Sequence, residues 1–475
     1  LVSFTQNLAR NEQQLWFTGE ETYASTIENN FINATRYPTT GLTLNVDRAS
    51  YSNIRRFLTT NSIVPPDAVR IEEMLNYFNL AYTEPPDGKS FEIATTLTAC
   101  PWNKANELAF VQINSKKLAL DKVPQSHLVF LIDVSGSMDM PNRLPLLKSG
   151  FKALVNNLRS TDSVSIVVYG GTVGIALEPT GGDEKAKIFK VIDSLQPGGS
   201  TPGESGIKLA YSLAKAHYIN GGNNRVILAT DGDFNVGLKK EDELERMIIE
   251  QRDKGVYLTC LGIGMGNYKD SKIQTLAQRG NGNFAYLDNY AEAEKVLLKE
   301  FMQTIYTVAD DAFLSVQFNP KYVKEYRLIG FDNKVGAIRD SMANIEGGEV
   351  GSAYSSIAAF EIVPVEGFQK QLTDPVHFVL QYKNTGNNTV CEMTEEPQLF
   401  FTPFNQLSNA HKFASAVIMF GSLLRNSKFL KNVTWNDVME IAKPSADMSN
   451  YSQKEFLELV ELAKKLYGKK RKKEE

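Results

Sequence analysis

Two apolar runs of strand length each end on an aspartate, and this pairing limits the fold more than any other feature of the chain. The first, Leu128-Val129-Phe130-Leu131-Ile132, runs into Asp133-Val134-Ser135-Gly136-Ser137-Met138. The second, Arg225-Val226-Ile227-Leu228-Ala229-Thr230, ends on Asp231-Gly232-Asp233. A short continuous apolar run fits a strand covered on both faces, as in a parallel sheet. In open α/β sheets, ligand groups gather at the carboxyl ends of the strands. Asp133, Ser135 and Ser137 therefore read as oxygen ligands for a divalent cation. An isolated Asp-x-Ser-x-Ser suits a turn or a helix cap equally well, so the other segments decide.

A glycine-rich loop, Gly198-Gly199-Ser200-Thr201-Pro202-Gly203, precedes a helical pattern and offers a third hydroxyl, Thr201. Three segments thus deliver small oxygen ligands at strand ends or strand-to-helix loops. Further buried strands are expected at 163–169 and 256–261. Amphipathic helical patterns cover 144–158, 186–195, 203–218 and 241–254, and a last one at 291–308 would close the unit. Alternating strands and helices predict βαβ units with right-handed crossovers. The α/β domain is set at 127–308.

The chain has 475 residues, more than one domain by the usual size range. Period-two alternation marks strands at 91–98 and 108–114, and again at 314–318, 326–329, 358–363 and 378–382. The order is β, then α/β, then β. The expected arrangement is one β-sandwich from 91–126 and 309–404, with the α/β domain inserted in it or flanked by it. Two small separate sheets are the alternative. Residues 1–90 form an N-terminal helical or mixed part, with helical patterns at 52–58 and 67–78. Residues 405–475 form a C-terminal helical region ending in a basic tail, Lys469 to Lys473.

The net charge of -4 argues against a nucleic-acid partner. No apolar stretch reaches the length of a membrane span. The chain starts at Leu1, so a removed N-terminal signal is compatible with it. Cys100, Cys260 and Cys391 are far apart and define no disulfide framework. The four histidines are scattered without a zinc motif. Gly198-Gly199-Ser200-Thr201-Pro202 misses the last glycine of a nucleophile elbow, and no histidine lies in the metal-side segments. There is no P-loop, and Gly262-Ile263-Gly264-Met265-Gly266 lacks the third glycine spacing of a dinucleotide site. The chain reads as a binder, not an enzyme.

Asp133-x-Ser135-x-Ser137 with Thr201 and Asp231 resembles the metal-ion-dependent adhesion site of von Willebrand factor type A domains, position by position. The resemblance implies a Rossmann-like, mostly parallel sheet with helices on both faces. It also implies Mg2+ (or Mn2+ or Ca2+), with one exchangeable position that takes a carboxylate from a partner. The hydroxyls of Ser135 and Ser137 would ligate directly, Asp133 and Asp231 directly or through water, and Thr201 would complete or approach the sphere. Magnesium suits this oxygen set, and two carboxylates leave the ion roughly neutral.

The peptides at 45–58, 67–78 and 326–331 resemble a narrower family, the bacterial von Willebrand A-domain proteins of the cell envelope. Its members carry extra N- and C-terminal domains and are often lipoproteins. The resemblance implies an envelope location at the periplasm or surface, with anchoring through a removed N-terminal lipid signal. The expected partner is a protein presenting an acidic residue. An intracellular scaffold or adaptor docking to a ring ATPase complex is the alternative. Two positions depart from the family, Arg48 in Asp47-Arg48-Ala49 and Tyr354 where a histidine is usual.

Overall fold

The computed structural model describes residues 21–474 apart from 26, 81, 120, 122, 200–202, 233–240, 265–269, 301–302, 304–305, 332–346, 368–370, 373–375, 386–388 and 398. Thr201 and Asp233, both singled out by the sequence, lie outside the described residues.

The N-terminal segment is shared between two cores. Its strands β1 (Ile32–Asn33) and β2 (Thr39–Thr43) join the sandwich described below, whereas helices α1 (Ala49–Thr59) and α2 (Ile71–Asn76) join the C-terminal helices. A six-residue helix such as α2 cannot bury itself, and it needs this outside partner.

Strands β3 (Phe91–Ala99) and β4 (Glu107–Ser115) form a hairpin that leads into the α/β domain. That domain comprises β5 (Ser126–Asp133), β6 (Ser163–Tyr169), β7 (Gly174–Gly181), β8 (Asn223–Thr230), β9 (Val256–Ile263) and β10 (Phe284–Leu287). Their order is β10-β9-β8-β5-β6-β7, parallel except for the edge strand β7. Its helices are α3 (Leu144–Asn156), α4 (Lys185–Ser194), α5 (Gly203–Ala216), α6 (Glu241–Asp253), α7 (Asp270–Arg279) and α8 (Tyr290–Glu294).

Both faces of this sheet are covered, as its apolar strands require. Leu128, Phe130 and Ile132 belong to one core with Phe151 of α3; Val129 and Leu131 belong to the opposite core with Ile207 of α5. All five side chains are fully buried, each contributing about 1.5–3 kcal/mol by removal from water. The Phe130 and Phe151 rings stack at 4.2 Å.

The expected closing helix at 291–308 stops short of Thr307 and is not α-helical throughout. After α8 comes a single π-helical turn, Lys295–Lys299, and Thr307 already belongs to a strand. Buried charge fixes this turn: Lys295 Nζ lies 3.4 Å from the centre of the Tyr77 ring, and Glu300 pairs with Arg48 at 2.8 Å. Arg48 thus has a buried carboxylate partner in this fold.

The chain then returns to the sandwich through β11 (Thr307–Phe318), β12 (Val323–Ile329), β13 (Gly348–Gly351), β14 (Ser355–Pro364), β15 (Gln371–Leu372), β16 (Val376–Asn384), β17 (Val390–Glu395) and β18 (Leu399–Phe400). One sheet has the order β1-β12-β14-β4-β3, so strands from before and after the α/β domain pair directly, Phe360 with Ala109. The other has the order β13-β11-β16-β17, with β2 also on β11. Residues of both sheets form one core, including Val111, Phe360, Leu314 and Phe378. Tyr354 closes an edge of it, its hydroxyl donating to the Leu44 carbonyl.

Helices α9 (Asn409–Leu424), α10 (Trp435–Ser445) and α11 (Tyr451–Glu474) complete the fold. Their Phe413, Phe420 and Phe456 pack with Phe57 and Met74 from the N-terminal helices and against Phe110 of β4. No helix among the described residues is long and apolar enough to cross a membrane.

Candidate functional site

The strand order creates the site. From β5 the chain passes to β6 on one side, then returns to β8 on the other, so the direction of winding reverses between β5 and β8. A crevice at the carboxyl ends of strands opens where the winding reverses. Asp133 ends β5, and Asp231 follows the last residue of β8, Thr230. These strands are hydrogen-bonded neighbours, with Ile132 paired to Ala229.

Side chains then converge from both strand ends. Asp133 Oδ1 accepts from the Ser135 backbone N–H at 2.8 Å, which folds the loop back over the strand end. Its Oδ2 accepts from the hydroxyls of Tyr169 at 3.1 Å and Thr230 at 3.2 Å. The Ser135 and Ser137 hydroxyl oxygens are 3.0 Å apart. A short 3-10 turn, Gly136–Met138, sets that spacing. Arg143 Nη1 donates to the Ser137 carbonyl at 2.7 Å and to Asp231 Oδ2 at 2.6 Å. Four of the five sequence-predicted residues therefore share one site; Thr201 is the one outside the described residues.

The glycine loop lies against the same turn. Gly136 donates its backbone N–H to the Gly199 carbonyl at 3.0 Å, and Gly198 donates to the Val134 carbonyl at 2.7 Å. Gly199 has φ +80, and a Cβ there would stand 2.2 Å from Gly171 Cα. Only glycine fits such a position. Helix α5 starts at Gly203, a few residues after Gly199.

Asp133 and Asp231 are both nearly inaccessible, at 2% and 5% exposure. Burial, with the Asp231 charge beside it, pushes the Asp133 carboxyl above the usual carboxylate range. Bonds from Ser135 oppose that rise. A cation would reverse it, because a positive charge favours ionised carboxylates. The donor set is all oxygen, from carboxylate and hydroxyl, which fits a hard dication and not a soft metal. No cluster of three or more His, Cys, Asp or Glu side chains with metal-binding placement occurs among the described residues. A site using serine hydroxyls would not form such a cluster.

Arg143 was not among the residues the sequence points to. It lies 88 residues from Asp231 in the chain, and no spacing rule links the two. The histidines sit away from the site. His127 is at the opposite end of β5 with His217 beside it, ring centres 6.0 Å apart. His377 pairs with Glu396, and His411 lies in the first turn of α9, its backbone N–H donating to the hydroxyl of the N-cap residue Ser408.

Three family models match in sequence order. One described as von Willebrand factor covers residues 18–109, one described as von Willebrand factor type A domain covers 127–302, and one described as uncharacterized protein YfbK, C-terminal, covers 303–466. The uncharacterized protein YfbK of Escherichia coli (strain K12) is 38% identical over 451 residues, spanning 90% of this chain and 78% of that protein. The magnesium-chelatase 60 kDa subunit of Rhodobacter capsulatus is 28% identical over 168 residues, 32% of this chain and 29% of that protein. Among solved structures, a von Willebrand factor type A protein from Catenulispora acidiphila superposes with a TM-score of 0.44 at 14% identity, covering 76% of this chain and 88% of that one.

Proposed function

Because the chain belongs to the family of Escherichia coli YfbK and carries a von Willebrand factor type A domain, we propose that it is a metal-dependent protein-binding module. Its site takes Mg2+ (or Mn2+ or Ca2+) and captures an acidic residue of a partner protein. The observation that carries this reading is the convergence of Asp133, Ser135, Ser137 and Asp231 at the reversal point between β5 and β8. Ser135 and Ser137 would hold the cation by their hydroxyls, Asp133 and Asp231 by charge, and Thr201 would approach from the glycine loop. The cation supplies an electropositive centre for the partner's carboxylate. The protein's own part is to fix the oxygen spacing, through the Asp133–Ser135 bond and the Gly136–Gly199 contact.

The module is not an enzyme in this reading. The histidines lie elsewhere in the fold, so the Ser135 and Ser137 hydroxyls have no imidazole as a general base. We assign the protein to the bacterial envelope, at the periplasm or surface, as a lipoprotein held by a removed N-terminal lipid signal. That assignment rests on the family resemblance.

A second reading is an intracellular scaffold or adaptor that docks to a ring ATPase complex. What favours it is the likeness to a protein named as a subunit of magnesium-chelatase. Labelling of spheroplasts with a reagent that does not cross the inner membrane separates the two readings, because a periplasmic or surface protein is tagged and an intracellular one is not. The test of the first reading is a pull-down from envelope extract with and without Mg2+, using Asp133→Ala as control. Wild type should capture a partner only with Mg2+, and the variant should capture none. Equal capture in chelator overturns the proposal.

A further inference from the structure

Arg143 occupies a slot built for it inside the candidate cation site. It stands at the N-terminal boundary of α3, and its side chain turns back to the strand ends. One guanidinium nitrogen bridges the Ser137 carbonyl and Asp231 Oδ2, at 2.7 and 2.6 Å. Both partners belong to residues that would hold the ion. Gly264, just past the end of β9, forms the far side of the slot, with φ +82. A Cβ at Gly264 would stand 2.5 Å from Arg143 Nε, so the backbone there leaves room for the guanidinium. Three separate segments therefore shape one place for one positive charge. With 8% of Arg143 exposed, bulk water screens that charge weakly.

The charge count gives this slot a consequence. Asp133 and Asp231 together carry two negative charges when ionised, and a dication alone would neutralise them. With Arg143 in place the loaded site carries one net positive charge. The guanidinium thus opposes the dication, and it leaves a positive centre that an anionic ligand would neutralise. We infer that Arg143 is the resident counter-charge of the site: it competes with the dication for Asp231 and holds cation affinity down until a carboxylate arrives. This rests on the reading of the cluster as a cation site.

The test measures Mn2+ binding to the full chain by isothermal titration calorimetry and by the electron paramagnetic resonance signal of free Mn2+. Arg143→Gln should bind Mn2+ at least about tenfold more tightly than wild type, since removing a weakly screened like charge a few ångströms away favours the ion by that much or more. Arg143→Lys keeps the charge and should stay within about threefold of wild type. Circular dichroism and melting identify folded variants, and Arg143→Met takes the place of Arg143→Gln if that variant does not fold. An Arg143→Gln affinity equal to or weaker than wild type overturns the inference alone. So does an Arg143→Lys affinity as tight as that of Arg143→Gln. If wild type takes up no Mn2+, the cation-site reading fails and the Arg143 inference falls with it.

Discussion

Arg55 Nη2 lies 2.7 Å from Glu292 Oε2, and this buried contact ties helix α1 to helix α8 of the inserted α/β domain. The same guanidinium reaches Asp288, beside β10, and Glu455 of α11 at 2.9 Å. One side chain therefore joins three parts of the molecule. Removing one partner of a buried ion pair strands the others without compensation, at about 3–5 kcal/mol. Arg55→Ala should lower the unfolding free energy by that amount in urea titrations. A loss under about 1 kcal/mol would show that the seam is held by its apolar contacts instead.

Cation removal has a thermodynamic signature independent of any partner. A ligand that binds only the folded state, at a hundredfold excess over its Kd, stabilises it by about 2.7 kcal/mol. Mg2+ should raise the melting temperature of wild type, and chelator should reverse the shift. Asp133→Ala and Ser137→Ala should show no shift with Mg2+. A wild-type melting curve indifferent to Mg2+, Mn2+ and Ca2+ would remove the basis for the cation site.

Gly199→Ala tests the loop that carries Thr201. Its added methyl would meet the Gly171 backbone at a φ that alanine avoids. We expect more than about 1 kcal/mol of destabilisation, from the incompatible backbone. Cation affinity should fall as well, because Gly136 loses its partner at the Gly199 carbonyl. Calorimetric titration with Mn2+ reads the second effect.

Asp47 gives the protein a predictable pH dependence. It accepts the Phe284 backbone N–H at 2.9 Å and the Gln274 amide at 3.1 Å. Burial, reinforced by the charge of Glu73, still pushes its carboxyl from 3.8 up to about 7. An acid with a raised folded pKa holds its proton more tightly folded than unfolded. Its share of stability is full below pH 3.8, is lost as pH rises from there to about 7, and stays lost above. Asp47→Asn should flatten the pH profile of the urea midpoint within that window. An unchanged slope would mean that Asp47 stays ionised in the fold.

The thiols differ in reach. Cys100 and Cys260 are buried, and burial pushes both thiols up, whereas Cys391 is half-buried on β17. Maleimide should label one thiol per native chain, at Cys391, and all three after denaturation. Mass spectrometry of the peptides reads the site.

The sheet and most of the site were legible because their signals are local. Leu128 to Ile132 is apolar without interruption, which fits a strand covered on both faces, and its end residues became ligand candidates by position alone. Several links were illegible because they run between distant segments. Thr39–Thr43 is too short and polar to announce a strand, yet Leu42 pairs with Leu314 in the sandwich. Gly174–Gly181 alternates weakly because it is an exposed edge strand. Lys295 opens a π-helical turn with its ammonium over the Tyr77 ring, which comes from a distant segment that no helix signal encodes. Arg143 looks like an ordinary residue before a helix until Asp231 is brought beside it.

The two halves of the sandwich meet across a long detour. Gln112 of β4 contacts Ser355 of β14, 243 residues later. At synthesis rates of about 5–20 residues per second, that is a wait of roughly 12 to 50 seconds. Throughout it, both edges of the β3–β4 hairpin keep backbone donors and acceptors open to any passing strand. The α/β domain needs nothing outside 126–287 for its sheet, so it can close while the hairpin waits. Nascent chains stalled after the insert should therefore hold a formed α/β sheet, its buried Arg225 still without Glu349, and an unpaired hairpin, the form of this protein most in need of a chaperone.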